Sequence, residues 1–336
     1  MATAKLNVAV CVIVKDEEKY ISEFINHYIK IGFSKVIVCD NNDNEGLKSL
    51  LSDFIADGKV IYEDYCFRRN YQIRCYEEMY EKYKSHFDWI AFFDCDEFLT
   101  LIDKRTISAF LKQPKFTDCN MICVSWRLHG DNGLVYYDDR DVKERFPEYA
   151  PKEYTQNNHV KTIIRCIDDS IVMTSAHSAH FVDGSTYTTN CLGDYVSSDC
   201  VFQSVVWEGA VLEHYFTKTI SEYIERRFDK PRANGSKDDI DDFIIRFFEI
   251  NEHTEEKDNI ISKYIEAREA AKREEEKKVE HKHVDVAKSI ENSPIKKLFA
   301  VPPKIAVERP IDKNAQNKAA FRNKLPKRRK KLQFYK

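Results

Sequence analysis

Apolar and polar positions along the first third of the chain switch between two periods. "NVAVCVIV" (7–14) and "KVIVCD" (35–40) are continuous and β-branched, the pattern of strands buried on both faces. Between them Ile21, Phe24, Ile25, Tyr28 and Ile29 recur at helical spacing, and Gly32 is placed to cap that helix. The unit then repeats: "GLKSLLSDFIADG" predicts a helix, "KVIYED" a strand, "YQIRCYEEMYEKYKSHF" a helix and "WIAFF" a strand. Such alternation predicts an α/β fold, with a mainly parallel sheet, helices on both faces and right-handed crossovers.

From about residue 120 the rhythm changes. "MICVSWRL" reads as another strand, and shorter strands are predicted at 161–167 and 171–175. Residues 128–160 are polar, aromatic and irregular, as expected of loops laid over a sheet edge, where substrate sites often lie. Helical spacing returns in "SEYIERRF" and "DDIDDFIIRFFEI". The expected organisation is one α/β domain over 1–253, a charge-dense helical extension over 254–291, and a basic, disordered tail over 292–336.

With 336 residues, 43% of them hydrophobic and 12% aromatic, the chain has the composition of an ordinary soluble protein with a sizeable core. Its net charge of −3 argues against nucleic-acid binding by the whole molecule, so no nucleic-acid partner is expected. The charge is uneven, however: "KAAFRNKLPKRRKKLQFYK" carries nine Lys or Arg and no acid. That segment fits a solubilising end or an attachment to an anionic membrane surface, with Phe321, Leu325, Leu332, Phe334 and Tyr335 as shallow apolar contacts. No secretion signal is visible in "MATAKLNVAVCVIV", and the 10 cysteines show no C-x-x-C pair. Free thiols in a reducing cytoplasm are expected, with the inner face of the membrane as the site of any tail attachment.

"WIAFFDCDEFL" (89–99) is an apolar run that stops in three carboxylates. Residues two apart on a strand face the same side, so Asp94 and Asp96 are expected to project together, about 7 Å apart, from one rim of the sheet. In open parallel sheets the carboxyl rim binds ligands. Two carboxylates there repel unless a cation or a proton relieves them. Hard oxygen ligands suit Mn²⁺ or Mg²⁺, which in turn bridge phosphate oxygens. Taken alone, the same residues also fit a solvated turn or the N-cap of a following helix.

In its wider context this run resembles the D-x-D motif of GT-A glycosyltransferases, and the chain is similar to glycosyltransferase family 92 and its bacterial relatives in the family 2-like group. "VIVKDEEKYISEFINHYIKIGFSKVIVCDNNDNEG" resembles the family's opening of strand, Lys-Asn-Glu, helix, Gly, strand and Asp-Asn. "SWRLHGDNG" resembles its Trp-Arg-x-x-Gly loop, "HVKTIIR" its Lys-[Ser/Thr]-Ile strand, and "LEHYFTKTISEYIERR" its His-Tyr-x-x-Lys-[Ser/Thr] segment. The likeness covers roughly 7–235 in the family's order. It implies a GT-A fold and a metal-dependent, inverting hexosyltransferase of polysaccharide biosynthesis, with a nucleotide-sugar donor, uridine-linked and plausibly galactose, and a glycan or lipid-linked acceptor. It also implies roles for single residues. Asp94 would hold the donor ribose and reach the metal through water, Asp96 would ligate the metal directly, and His214 would be the metal's C-terminal ligand. Asp40 would contact the base, Lys15 and Glu17 would stand at the end of the first strand, and Gln72 matches a glutamine before the metal strand. Asp16 and Glu213 depart from the family pattern, which has Asn at both places.

The chemistry asks for further groups. A departing nucleoside diphosphate gathers negative charge, which Lys161 and Lys218 are candidates to stabilise. An inverting attack by a hydroxyl needs a carboxylate base, for which Asp131 and Glu208 are candidates. Plainer readings stand beside each of these. His214 fits a hydrogen-bonded core histidine, Asp40 a turn cap, and Lys15 to Glu17 a helix start. Trp126 and Arg127 fit either a sugar-stacking ring with a polar neighbour or a core aromatic beside a surface ion pair. His177 and His180 have a spacing compatible with zinc but lack further ligands. Two rival functions are a non-catalytic sugar- or partner-binding protein on this fold and a haloacid-dehalogenase-like phosphatase, whose D-x-D also follows an apolar strand.

Overall fold

The computed structural model describes residues 5–251, apart from 45, 69–70, 103–105, 198–200 and 228–239, and gives the backbone alone at 227 and 240–243. The charged extension and basic tail expected over 254–336 lie outside the described residues.

The first half follows the predicted alternation: β1 (Val8–Val14), α1 (Ile21–Lys30), β2 (Lys35–Asp40), α2 (Gly46–Leu50), α3 (Ser52–Ala56), β3 (Val60–Asp64), α4 (Gln72–Tyr83) and β4 (Trp89–Phe92). The single helix expected after residue 45 is two short ones, because Leu51 leaves helical geometry at φ −92°, ψ 3°. The second half runs β5 (Glu97–Leu101), α5 (Ile107–Leu111), β6 (Met121–Leu128), α6 (Val142–Arg145), β7 (Val160–Arg165), β8 (Ile171–Met173), β9 (Ala179–Phe181), β10 (Thr188–Thr189), β11 (Ala210–His214), α7 (Ile220–Arg227) and α8 (Ile240–Ile250).

Nine strands form one sheet in the order β3-β2-β1-β4-β7-β6-β11-β5, with β10 beside β6. β3, β2, β1 and β4 are mutually parallel. β7 runs antiparallel to both β4 and β6, and β11 runs parallel to β6 but antiparallel to β5. The sheet is thus mainly parallel, with β7 and β5 reversed. Strand direction is not written in an apolar run, so these reversals follow from the pairing and not from the sequence pattern.

The alternation of β1 sorts the core into two layers. Val8, Val10, Val12 and Val14 face α1, packing with Ile21, Phe24, Ile25 and Tyr28. Ala9 and Cys11 face the opposite layer, where α4 contributes Cys75, Tyr76, Met79 and Tyr80 and the β8–β9 hairpin contributes Ile171, Met173 and Phe181. Burying each large apolar side chain contributes about 1.5–3 kcal/mol, so both faces of β1 are needed to hold the sheet. Gly32 ends α1 at φ +99°, with Phe33 N–H donating to Tyr28 O at 3.0 Å, a C-terminal motif that favours glycine. The nine described cysteines are all free. Among the described residues no helix is long and apolar enough to cross a membrane.

Candidate active site

The acidic doublet does not lie on a strand. β4 ends at Phe92, and Asp94 to Glu97 form a turn closed by Glu97 N–H donating to Asp94 O at 3.0 Å. Asp94 N–H in turn donates to Glu97 Oε2 at 2.8 Å. The expectation that the two aspartates project together as strand neighbours is therefore corrected. A turn breaks the period of two, and the carboxylates meet different partners.

Asp94 faces β7 and α4. Its Oδ2 accepts from Lys161 Nζ at 2.8 Å, and its Oδ1 accepts from Gln72 Nε2 at 2.8 Å and Tyr76 O–H at 3.3 Å. Gln72 and Tyr76 are one helical turn apart, so α4 presents both from one face. The antiparallel register that sets Phe92 opposite Thr162 brings Lys161 beside the turn. Burial pushes the Asp94 carboxyl up, but the Lys161 ammonium outweighs it and holds the group below its ordinary range. Glu97, wholly buried with Lys161 Nζ 3.7 Å away, is pushed well above the carboxylate range by burial.

Asp96 faces β11 and α7. His214 sits opposite Glu97 on β5 and opposite Leu128 on β6, which carries its ring to the turn. His214 Nε2 lies 3.6 Å from Asp96 Oδ1, and Arg226 Nη1 lies 2.7 Å from Asp96 Oδ2. Burial opposes the charge on Asp96, yet Arg226 and His214 hold its carboxyl well below the usual range. Arg226 Nε also reaches Glu17 Oε1 at 3.3 Å, and Lys218 Nζ donates to Glu17 Oε2 at 3.0 Å. Lys218 adopts φ +52°, a strained conformation for a lysine, with its ammonium 3.5 Å above the Tyr20 ring. Tyr20 O–H donates to Glu222, which also accepts from Thr219 Oγ1 at 2.7 Å and pairs with Arg145 at 3.4 Å. A buried polar network thus ties the exit of β1 to the start of α7.

The remaining predicted residues fall in several places. Asp40, fully buried at the end of β2, accepts from Asn42 N–H at 3.0 Å and Tyr62 O–H at 2.7 Å, so it does close its turn. Lys15 leaves the cluster and pairs with Asp43 at 2.9 Å. Asp131 is fully buried beyond β6, where its Oδ1 accepts from Gly133 N–H at 3.1 Å and its Oδ2 has no partner. Burial raises its carboxyl to about 6. Glu208 stands exposed ahead of β11, pairs with Lys152 at 3.3 Å, and is not brought to the acidic turn. Of the two readings of Trp126, the structure takes the core one: His159 stacks on the ring at 4.7 Å and 10°, and His214 packs against it at 4.2 Å. No face is left for a sugar. Arg127 is an ion-pair partner, gripping Glu213 together with His129, whose Nε2 lies 2.8 Å from that carboxylate. His177 Nδ1 pairs with Val160 O at 2.9 Å and its ring lies beside Trp126, an arrangement of packing and not of zinc ligation.

The model of glycosyltransferase family 92 matches residues 6–247, well over half of the chain. The chain belongs to glycosyltransferase family 92. A curated family 92 protein of Oryza sativa subsp. japonica is 21% identical over 238 residues, covering 69% of this chain and 38% of the relative. The chain thus spans less than two fifths of that relative's length. Among solved structures, S. aureus TarS 1–349 in complex with UDP-GlcNAc is similar at 12% identity and a TM-score of 0.40, over 77% of this chain and 72% of that one. GalNAc-T7 with UDP, GalNAc and Mn²⁺ is similar at 19% identity and a TM-score of 0.30, over 39% and 25%. Membership of a glycosyltransferase family sets aside the phosphatase reading of this mainly parallel α/β sheet.

Whether this family 92 site suits a divalent ion is testable on its own atoms. Asp96 Oδ1 and His214 Nε2 face each other at 3.6 Å, beyond hydrogen-bond distance, while Asp96 Oδ2 is met by Arg226. That donor pair fits a cation such as Mn²⁺. Asp94 differs, since both its oxygens already accept hydrogen bonds. Among the described residues no three His, Cys, Asp or Glu side chains form a closed metal cage. Ions that keep water and take substrate phosphates need only one or two protein ligands.

Sequence reading missed Arg226, Tyr76, Glu97 and Arg145. A signal existed for two of them. Glu222 and Arg226 are four residues apart on α7, as are Gln72 and Tyr76 on α4, so each pair shares a helix face. Arg145 carried none, because its partners Tyr20 and Glu222 are distant in the chain.

Proposed function

We propose that the chain is a divalent-ion-dependent, inverting glycosyltransferase that moves a sugar from a nucleotide-sugar donor to a hydroxyl of a glycan or lipid-linked acceptor. The observation that carries this reading is the convergence of β4, β7, β11 and α7 on one acidic turn, with Asp96 Oδ1 and His214 Nε2 facing each other at 3.6 Å beside Lys161, Lys218 and Arg226. In the reaction, the bond from the anomeric carbon to the diphosphate oxygen breaks as a bond to the acceptor oxygen forms. The acceptor's proton passes to a base, and the nucleoside diphosphate leaves with the bonding electrons.

Asp96 and His214 would hold Mn²⁺ or Mg²⁺, which supplies positive charge where the leaving diphosphate gathers negative charge. Asp94, fixed by Lys161, Gln72 and Tyr76, retains lone pairs for the donor's ribose hydroxyls. Lys161 serves as the counter-ion that keeps Asp94 ionised and is not itself presented to phosphate. Asp40 offers a carboxylate at the end of β2, and Asn42 beside it has a buried Nδ2 without a partner. An acceptor next to a donor complements the imide edge of uracil, whose N–H is flanked by carbonyls. This supports a uridine diphosphate donor, with galactose as the sugar the family resemblance implies.

Asp131 is the better base of the two candidates. Its raised carboxyl and unsatisfied Oδ2 suit proton uptake near neutral pH, whereas Glu208 is exposed and paired with Lys152. Attachment to an anionic membrane through the basic tail, and with it a cytoplasmic setting at the membrane's inner face, stays part of the proposal. Incubating the chain with a panel of nucleotide sugars and Mn²⁺ tests the reading. Diphosphate release is expected, and binding without release would mark a non-catalytic protein.

A further inference from the structure

We infer that Arg226 is the resident cation of this site: its guanidinium neutralises Asp96 from Oδ2, while a divalent ion would bind the same carboxylate through Oδ1 beside His214, so the two compete for its charge. The inference rests on the reading of Asp96 and His214 as ion ligands. Arg226 Nη1 lies 2.7 Å from Asp96 Oδ2, an ion pair made through one nitrogen and one oxygen. Arginine paired for structural purposes grips a carboxylate bidentately, as Arg127 does on Glu213 through both Nε and Nη2. Arg226 instead splits its guanidinium, sending Nε to Glu17 at 3.3 Å and Nη1 to Asp96. A compact cation gives Asp96 more than this contact does.

Exposure fits the same picture. The Asp96 side chain is 1% exposed and that of Arg226 is 30% exposed, so the pair joins a buried carboxylate to a side chain that reaches solvent. The start of α7 has anchors besides Arg226: just ahead of it Lys218 pairs with Glu17, and Glu222 binds Thr219, Arg145 and Tyr20. Glu17 keeps Lys218 as a counter-ion when Arg226 leaves. A divalent ion on Asp96 with Arg226 still present would add to the positive charge of Lys161, Lys218 and Arg226 around Glu17, Asp94, Asp96 and Glu97, and like charges brought together disfavour one another. Freed, the planar fork matches the geometry of a phosphate.

Mn²⁺ alone, titrated into the full chain and followed by electron paramagnetic resonance of the free ion, tests the competition. Arg226→Ala and the isosteric Arg226→Gln are expected to bind Mn²⁺ at least about tenfold tighter than the unmodified chain, the scale on which one neighbouring charge acts. Arg226→Lys is expected to stay near the unmodified value. In the unmodified chain, saturating Mn²⁺ is expected to speed reaction of Arg226 with an arginine-selective dicarbonyl, mapped by mass spectrometry. Binding that needs Asp96 but is no tighter in either neutral variant, or an unchanged rate of Arg226 modification on Mn²⁺ addition, overturns the inference and leaves the ion reading standing. No Asp96-dependent binding in any of the proteins overturns both.

Discussion

Lys161 Nζ stands 2.8 Å from Asp94 Oδ2, and the lysine side chain is wholly buried. A buried ion pair is costly to break from one side, because the remaining charge is stranded away from water. Lys161→Ala is therefore expected to destabilise the chain by about 3–5 kcal/mol in denaturant unfolding. The double variant Asp94→Asn with Lys161→Met should recover much of that stability while losing donor binding. Recovery of both would show the pair to be structural only.

Glu213 gives a pH-dependent counterpart. Burial would raise its carboxyl, but His129 and Arg127 hold it at about 2, against an ordinary 4.5. A depressed carboxylate contributes stability above its unfolded pKa and loses it as pH falls through the folded one. The difference in unfolding free energy between the unmodified chain and Glu213→Gln should be on the order of 3 kcal/mol at neutral pH and shrink between pH about 4.5 and 2. A difference that holds constant over that window would contradict the assigned partners.

Asp131 has the opposite shift, upward to about 6 by burial. As the base it must be ionised, so donor turnover should rise with pH through a midpoint near that value. Asp131→Asn should lower turnover by about 10²- to 10⁴-fold and abolish the acidic limb of the profile. A limb that survives the substitution would move the role to another group.

Asp16 explains one of the two departures from the family pattern. It adopts φ +58°, and its N–H donates to Asn42 Oδ1 at 2.6 Å. Asn and Asp are the non-glycine residues that enter this left-handed region most readily, so either serves there. Asp16→Gly should be nearly neutral in thermal unfolding, whereas Asp16→Val should cost about 1–2 kcal/mol.

Much of the fold was legible because buried parallel strands and amphipathic helices leave strong periodic signals. β1, β2 and α1 fall where the apolar spacing sets them, and β6 matches its predicted bounds. The site was legible in part. Asp94, Gln72 and Lys161 do come together, as do Asp96 and His214. What failed was local geometry: the strand was extended through Asp94 and Asp96, where the chain turns. Partners distant in sequence were also hidden. Glu17 and Arg145 carry no periodic mark of their contacts, since a tertiary ion pair is set by the fold and not by spacing.

The most direct test of the central claim is release of uridine diphosphate from uridine-diphosphate sugars by the purified chain with Mn²⁺, set beside Asp96→Asn under the same conditions. The account predicts turnover by the unmodified chain that falls by orders of magnitude in Asp96→Asn, measured at a temperature where circular dichroism shows both proteins folded. Undiminished turnover in Asp96→Asn, or none by the unmodified chain with any nucleotide sugar, would contradict it.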